Sequence, residues 1–529
     1  MRLERDQLTA VGRWILVALV AVAFSMAVMK PIILTASDMG RHLTNGRLFL
    51  DHGTIATTNL YSYTHPDFPF LNHHWGSGVL FELVRRFRGF IGVSMFGMGV
   101  VILTAVLYLR VAWMSGRFWT TMAAAFLVLP VFASRAEIRP ELFSYLLSAV
   151  FLWILLGVRG KAMSPKALWA LPPLMLLWVN LHIYFFLGIG WMGAFVVDAL
   201  FRAWRDPSER SEHVLLARRL VLALVAACVL TPLNPNGWRG AVYPLFIFQN
   251  YAYAVAENQT VFTIERNGPY PPGLFLRIAW AVLFISWIWR LWRDRRERRL
   301  PDVAILILSL FVALISYKAI RNFTIFSYVT VVALSHAWAD LDPRARLGRW
   351  TTAATSAIPA LTLAAMVALW PAYWQSVYGT FGLGVAPDVL RSIDFFKEYN
   401  LHGPIFNNYD IGGFLTYGLY PEERVFVDNR PEAYPGEFFT QILLPMQMKE
   451  GDWQRFSAQY GFNVIFFYRH DATRWGQAFM LRRLQDPAWA PVYVDGYVLM
   501  FVRRIPEFRE VIAQYEIPLS NFAAAPRNR

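Results

Sequence analysis

The sequence predicts a mainly α, polytopic membrane protein of about eleven transmembrane helices, followed by a soluble α/β domain. Three observations predict it. Apolar runs of near-spanning length recur through residues 1–371. The loops between alternate pairs of runs are rich in Arg and Lys. From about residue 385 the pattern changes to short apolar strands alternating with amphipathic helices. The 529-residue chain is 56% hydrophobic and carries 21 tryptophans, which excludes an ordinary soluble enzyme. A net charge of +14 would suit a nucleic-acid binder, but its confinement to loops makes it an orientation signal, and no nucleic-acid partner is expected. Cys228 stands alone in an apolar run, which excludes a disulfide framework and a thiolate metal site.

The first run, 14–34, follows "MRLERDQLTAVGR" and lacks a small-residue cleavage site, so it reads as an uncleaved signal anchor. Further spans are expected at 91–109, 118–133, 142–158, 167–180, 183–201, 220–233, 274–289, 301–317, 323–338 and 351–371. With a cytoplasmic N-terminus the inward loops become "RVAWMSGR", "VRGKAMSPK", "FRAWRDPSERSEHVLLARR", "RLWRDRRERR" and "DLDPRARLGR", all basic as the positive-inside rule requires. This divides the chain into a transmembrane domain, 1–371, and a domain at 372–529 that lies outside, in the periplasm if the membrane is the inner membrane of a bacterium. The outward segments are 35–90, 134–141, 181–182, 234–273 and 318–322, and they carry the unusual polar residues. Segment 234–273 is too long for a plain connector; its sequon Asn258-Gln259-Thr260 reads as a chance occurrence. In the soluble part, "APDVLRSIDFFKEYN" and "GDWQRFSAQYG" read as helices, the second ended by Gly461. "PIFN", "RVFVD" and "NVIFFY" read as strands, and "APVYVDGYVLMFVRR" as a hairpin turning at Asp495-Gly496.

Asp38 opens the list of candidate functional residues. It is placed either to cap a helix or to act as a carboxylate at the membrane–water boundary, as base or metal ligand. If 38–50 is helical, Asp38 and His42 share a face, with Arg41 beside them. Five of the ten histidines fall between 42 and 74, and His73 and His74 of "NHHWGSG" suit sugar, phosphate or metal contacts. Asp38, His42 and His73 form a candidate site for a divalent metal, and no other cofactor is indicated. In "SRAEIRPELFSY", Glu137 alternates with Arg135 and Arg139, which reads as a self-paired turn or a phosphate clamp. Asn180 and His182 sit between two spans, and Lys318, Arg321 and Asn322 between two others; Lys318 and Arg321 would be i,i+3 on a helical turn. Glu257 and Glu265 are carboxylates of the long loop, either one a candidate second acid or base. In the soluble part Asn407, Asn408, Gly412, Gly413, Asp428, Arg430 and Tyr434 would crowd one sheet edge, where α/β folds bind ligands, although the Gly pair equally serves close packing.

These parts resemble the GT-C superfamily of membrane glycosyltransferases, which includes protein O-mannosyltransferases and lipid A aminoarabinose transferases. The likeness rests on "SDMGRHLTNGRLFL" leading to "LYSYTHPDFPFLNHHW", on the arginine-containing second loop, and on "NNYDIGGFL" with "VFVDNRPEAY". It is greatest to bacterial GT-C-like proteins with a soluble tail, and it covers nearly the whole chain through loose motifs. The resemblance implies that Asp38 is the first-loop catalytic or metal-coordinating acid. It also implies a polyprenyl-phosphate sugar donor entering from the outer leaflet and a glycan, lipid or protein acceptor. Where that group often has His-Glu-Trp, this chain has His73-His74-Trp75. Either Glu137 or Glu257 supplies the missing carboxylate, or activity is altered or absent.

Arg135, Arg139, Lys318 and Arg321 would then stabilise the lipid phosphate released on transfer, and Asp38 would deprotonate the acceptor for an inverting attack at C1. A transporter or flippase is the rival from another class, disfavoured because the polar groups lie at one face rather than mid-membrane. A non-catalytic assembly protein of envelope glycan synthesis is the third reading.

Overall fold

The computed structural model describes residues 2–247, 252–341 and 381–523, and the span expected at 351–371 lies outside them. The chain divides into two compact units. One comprises Met1–Lys30, Gly92–Pro244 and Ala254–Leu383; the other comprises Pro31–Ile91, Leu245–Tyr253 and Gly384–Arg529. Segment 35–90, expected as a loop of the membrane part, thus groups with the C-terminal part.

The first unit is helical. It holds α1 (Arg2–Met26), most of α3 (Trp75–Ser115), α4 (Phe118–Ala133), α5 (Glu141–Arg159), α6 (Leu171–Leu181), α7 (Phe186–Arg205) and α8 (Arg210–Leu230). After the short turns α9 (Gly237–Val242) and α10 (Val261–Glu265) come α11 (Pro272–Arg296), α12 (Val303–Lys318) and α13 (Phe323–Ala337). Among the described residues, five helices are long and apolar enough to cross a membrane: Trp75–Ser115, Glu141–Arg159, Ile183–Arg205, Arg210–Leu230 and Pro272–Arg296. Arg13–Met26, Phe118–Ala133 and Val303–Lys318 are shorter apolar helices. Helix α1 stops at Met26 instead of running to the expected Leu34. Pro31 explains the stop, because its ring would clash with a helical carbonyl at position 27 and it has no N–H to donate.

Aromatic side chains fill the helical core and find partners for their polar tips. The Tyr108 ring stacks on Tyr328 at 4.7 Å, and its hydroxyl donates to Ser148 Oγ at 2.8 Å. Trp191 Nε1 also donates to Ser148 Oγ, and Trp178 Nε1 to Ser144 Oγ, both at 2.7 Å. Buried indoles without such acceptors would cost stability. A buried ionic network ties helix ends together: Arg159 forks onto Asp302 at 2.6 and 2.7 Å and reaches Asp198 at 3.4 Å, while Arg202 bonds Asp198 at 2.9 Å.

In the second unit α2 (Met39–His52) packs against α15 (Gly412–Leu419). A Cβ on Gly40 would stand 2.6 Å from Gly413 O, and one on Gly46 2.2 Å from Gly78 O, so these glycines set how closely the helices approach. The remaining helices are α14 (Arg391–Glu398), α16 (Leu444–Met448), α17 (Glu450–Tyr460), α18 (Arg474–Leu484), α19 (Arg509–Tyr515) and α20 (Ser520–Ala523). Four strands, β1 (Ile405–Asn407), β2 (Val464–Tyr468), β3 (Trp489–Val494) and β4 (Val498–Arg503), form a sheet in the order β1-β2-β4-β3. β1 runs parallel to β2, and the other pairs are antiparallel.

The hairpin at Asp495-Gly496 and the Gly461 stop (φ 63°) form as expected. "RVFVD" does not form a strand beyond one bridge, Ser62 to Val425. The Asn407 amide takes that role, accepting from Phe426 N at 3.0 Å and donating to Val427 O at 2.7 Å. Helix α14 starts only at Arg391, because Asp388 has φ 61° and cannot belong to it.

Candidate functional site

Polar side chains gather in two places, one in each unit. In the second unit the start of α2 carries Asp38. It occupies the N-cap position without making a side-chain cap. Its carboxylate instead accepts from Asn429 Nδ2 at 2.5 Å and lies 3.7 Å from the Arg41 guanidinium. One turn on, His42 is buried, and its ring meets His74 edge-on at 5.3 Å; His74 in turn meets His73 at 3.9 Å. Asp38 and His42 thus lie one helical turn apart at the start of α2, with His42 N donating to Asp38 O at 3.1 Å. His73 is further anchored through Nδ1 to Leu71 O at 3.0 Å.

Two carboxylates that the sequence reading passed over complete this group. Asp410 follows β1 and precedes α15, between the "NN" and "GG" that drew attention. Burial pushes its carboxyl up to about 7, and the charges of Asp471 and Asp38 add to the rise. No hydrogen bond or ion pair to Asp410 occurs among the described residues. Asp471 is buried and fixed, accepting from Asn408 Nδ2 at 2.8 Å and from Thr473 N and Oγ1 at 2.8 and 2.6 Å. Tyr409, next to Asp410, stacks on Tyr253 at 4.2 Å. Glu432 is pushed up by burial, against the pull of Arg41.

The other soluble-part candidates make contacts within the unit. Arg430 is fully buried, forks onto Asp428 at 2.8 and 2.5 Å, bonds Asn59 Oδ1 at 2.6 Å and lies 4.4 Å over Phe70. The Tyr434 hydroxyl accepts from Asp428 N at 2.9 Å. Gly412 lies against the Val427 carbonyl, where a Cβ would stand 2.2 Å away, and Gly413 against Gly40. These side chains and glycines hold segment 55–70 and α2 in place.

In the helical unit the turn between α4 and α5 supplies Arg135, Glu137 and Arg139. Glu137 lies 2.9 Å from Arg135 and 2.7 Å from Arg139. Glu257, from the long loop, accepts from Arg135 and from Arg139 Nη1, the latter at 2.6 Å, and lies 3.7 Å from Arg321. Arg321 also bonds Glu141 at 3.1 Å and Asn258 Oδ1 at 3.0 Å. Burial opposes ionisation of Glu137, but Arg135, Arg139 and Lys30 outweigh it and hold the carboxyl down to about 2. Glu257 is likewise held well below the carboxylate range, burial being overcome by Arg139, Arg135 and Arg321. Carboxylates held so firmly ionised are poor proton acceptors, which removes the main attraction of Glu137 and Glu257 as a catalytic base.

Lys318 is exposed at the end of α12, and extended Ala319 (φ −155°) breaks the turn after it. The helical i,i+3 pairing with Arg321 is therefore absent. Asn322 accepts from the Tyr184 hydroxyl at 3.1 Å and donates to Ile315 O at 2.8 Å. Asn180 donates to Leu176 O and Leu233 O, and buried His182 meets Ser144 Oγ at 2.7 Å. Glu265 is taken up by Arg277 at 2.8 and 2.9 Å. Among the described residues, the set of three His, Cys, Asp or Glu side chains close enough to share one ion is Asp206, Glu209 and His213, between α7 and α8. No definite cofactor follows from the site.

Apolar helices of spanning length beside a small α/β unit define a membrane protein with a globular appendage. The particular fold is similar to those of solved archaeal oligosaccharyltransferase and ArnT structures. The oligosaccharyltransferase AglB from Archaeoglobus fulgidus, in complex with an inhibitory peptide and a dolichol-phosphate, matches with a TM-score of 0.60 and 12% identity, over 96% of this chain and 75% of that one. The A. fulgidus oligosaccharyltransferase in complex with Zn and sulfate matches with a TM-score of 0.52 and 12% identity, over 92% and 73%. ArnT from Cupriavidus metallidurans bound to undecaprenyl phosphate matches with a TM-score of 0.50 and 13% identity, over 95% and 98%. At such identities the likeness is one of fold. No family model and no curated protein matches the sequence.

Proposed function

We propose that the protein is a glycosyltransferase of the bacterial inner membrane that moves a sugar from a polyprenyl-phosphate carrier to an acceptor outside the cytoplasm. Its eleven spans would include 351–371, with the N-terminus cytoplasmic and residues 372–529 periplasmic. The acceptor is a glycan, lipid or protein. The observation that carries this reading is the Asp38 group, set in a fold shared with membrane glycosyltransferases.

In this reading Asp38 takes the proton of the acceptor hydroxyl, and Asn429 and Arg41 orient its two oxygens. Asp410, close to half-ionised at neutral pH, exchanges that proton with solvent. His42, His73 and His74 border the acceptor. Arg135, Arg139 and Arg321 hold the carrier phosphate through their guanidinium groups. Direct displacement inverts the anomeric centre.

The test is transfer of labelled sugar from polyprenyl-phosphate donors in a cell lipid extract by wild type and by Asp38→Ala of equal thermal stability. Transfer by wild type alone supports the reading; equal transfer by both removes Asp38 from the chemistry. Transfer by neither favours a non-catalytic role.

A further inference from the structure

The arginine cluster of the helical unit is already full. Arg135 and Arg139 both donate to one carboxylate oxygen of Glu257, and Arg321 faces the other at 3.7 Å. The cavity beside them, lined by Arg135, Glu137, Arg139, Glu141, Tyr145 and Arg321, measures about 20 Å³. That is room for about one water and not for a phosphate group. A phosphate can reach these guanidiniums only if a carboxylate leaves.

The three carboxylates differ in how they are held. Glu137 and Glu141 sit on the turn and first residue of α5, within seven residues of both Arg135 and Arg139. Glu257 arrives on a separate segment, tied to Ile320–Asn322 by two local bonds: Ile320 N to Gln259 O at 3.0 Å and Arg321 Nη1 to Asn258 Oδ1 at 3.0 Å. Glu257 lies in a single 3₁₀ turn, Ala256–Asn258, whose residues are half-buried or exposed, and the first fully buried side chain after it is Val261. Withdrawing Glu257 therefore disturbs little packing, whereas withdrawing Glu137 would unmake the α4–α5 turn.

We infer that Glu257 is a carboxylate placeholder for the carrier phosphate, displaced from Arg135, Arg139 and Arg321 when the lipid-borne phosphate binds, so that donor binding frees the segment around 254–266. Exchange of one carboxylate charge for the single charge of a phosphodiester leaves the electrostatic balance of the cluster unchanged, which makes the swap low in cost. Return of Glu257 then competes with the spent carrier and speeds its release. The inference rests on the proposed phosphate role of the arginines.

The experiment uses full-length protein in nanodiscs, with undecaprenyl phosphate as probe. Binding is measured for wild type, Glu257→Gln and Arg135→Ala, and hydrogen exchange is followed in wild-type peptides covering 254–266. The expected results are about tenfold tighter binding by Glu257→Gln, the loss of one charge-assisted competitor, and faster exchange of 254–266 on adding the lipid. Unchanged or weaker binding by Glu257→Gln, or exchange that does not rise, overturns the placeholder. If Glu257→Gln does not fold, the wild-type exchange decides alone. Binding that survives Arg135→Ala undoes the phosphate-site reading itself, and the placeholder with it. Inorganic phosphate in a parallel arm separates the sources. Faster exchange with it assigns displacement to the phosphate group alone, and faster exchange only with the lipid assigns it to the membrane-borne phosphate; either supports the swap.

Discussion

The two polar clusters are built on opposite electrostatic plans. In the helical unit's cluster Glu137, Glu141 and Glu257 each meet an arginine, and the charges of Glu137 and Glu257 are locked on. In the other unit Asp410 is pushed up to about 7 by burial, with the charges of Asp471 and Asp38 adding to the rise. A matched cluster binds and releases ions without changing its own protonation. A carboxyl held near 7, as Asp410 is, titrates where cells live, and so can move a proton. The proposed function accordingly gives binding to the first group and proton chemistry to the second.

The largest effect that would break this comparison comes from Asp38→Asn. The amide keeps the size of the side chain but cannot take a proton, so transfer should fall by roughly 10²- to 10⁴-fold while undecaprenyl phosphate binding and melting temperature stay unchanged. Arg321→Ala should do the reverse. It removes a guanidinium that touches Glu141 and faces Glu257, and should weaken undecaprenyl phosphate binding about tenfold, read by titration in nanodiscs.

Asp410→Asn sharpens the comparison through pH. The folded carboxyl lies near 7 against an ordinary 3.8, so above pH 4 the unfolded chain ionises first and the native state loses stability until about pH 7, beyond which the deficit is constant. Asp410→Asn should therefore stabilise the protein by up to about 4 kcal/mol at pH 8 and by almost nothing at pH 4. Denaturation curves at the two pH values check this. Wild-type transfer should also bend near pH 7, and the variant should lose that bend. The smallest effect is Glu265→Gln, which breaks a half-exposed pair with Arg277. It should cost less than about 1 kcal/mol and leave transfer unchanged.

Much of this was legible in the sequence. Apolar periodicity and basic loops located most of the described helices, and the hairpin and the Gly461 stop followed from turn chemistry. Asp38 with His42, and His73 with His74, could be read as local pairs because one helical turn and one dipeptide set them, whereas the His42–His74 contact that links the pairs is long-range. Long-range pairings were not readable. Nothing local says that Glu257 reaches back more than a hundred residues to Arg135, or that Asp428 and Arg430 are spent on each other and on Asn59. Asp410 was overlooked because its oddity is burial beside other carboxylates, a property of the fold and not of the "NNYDIGG" string. Its place just after a strand and before a helix was the one available signal.

The most direct test of the division between the clusters pairs two assays on two variants: undecaprenyl phosphate binding and sugar transfer, each for Asp38→Asn and Arg135→Ala. The account predicts that Asp38→Asn binds like wild type and transfers nothing, and that Arg135→Ala fails to bind. Wild-type transfer by Asp38→Asn, or full binding by Arg135→Ala, would contradict it.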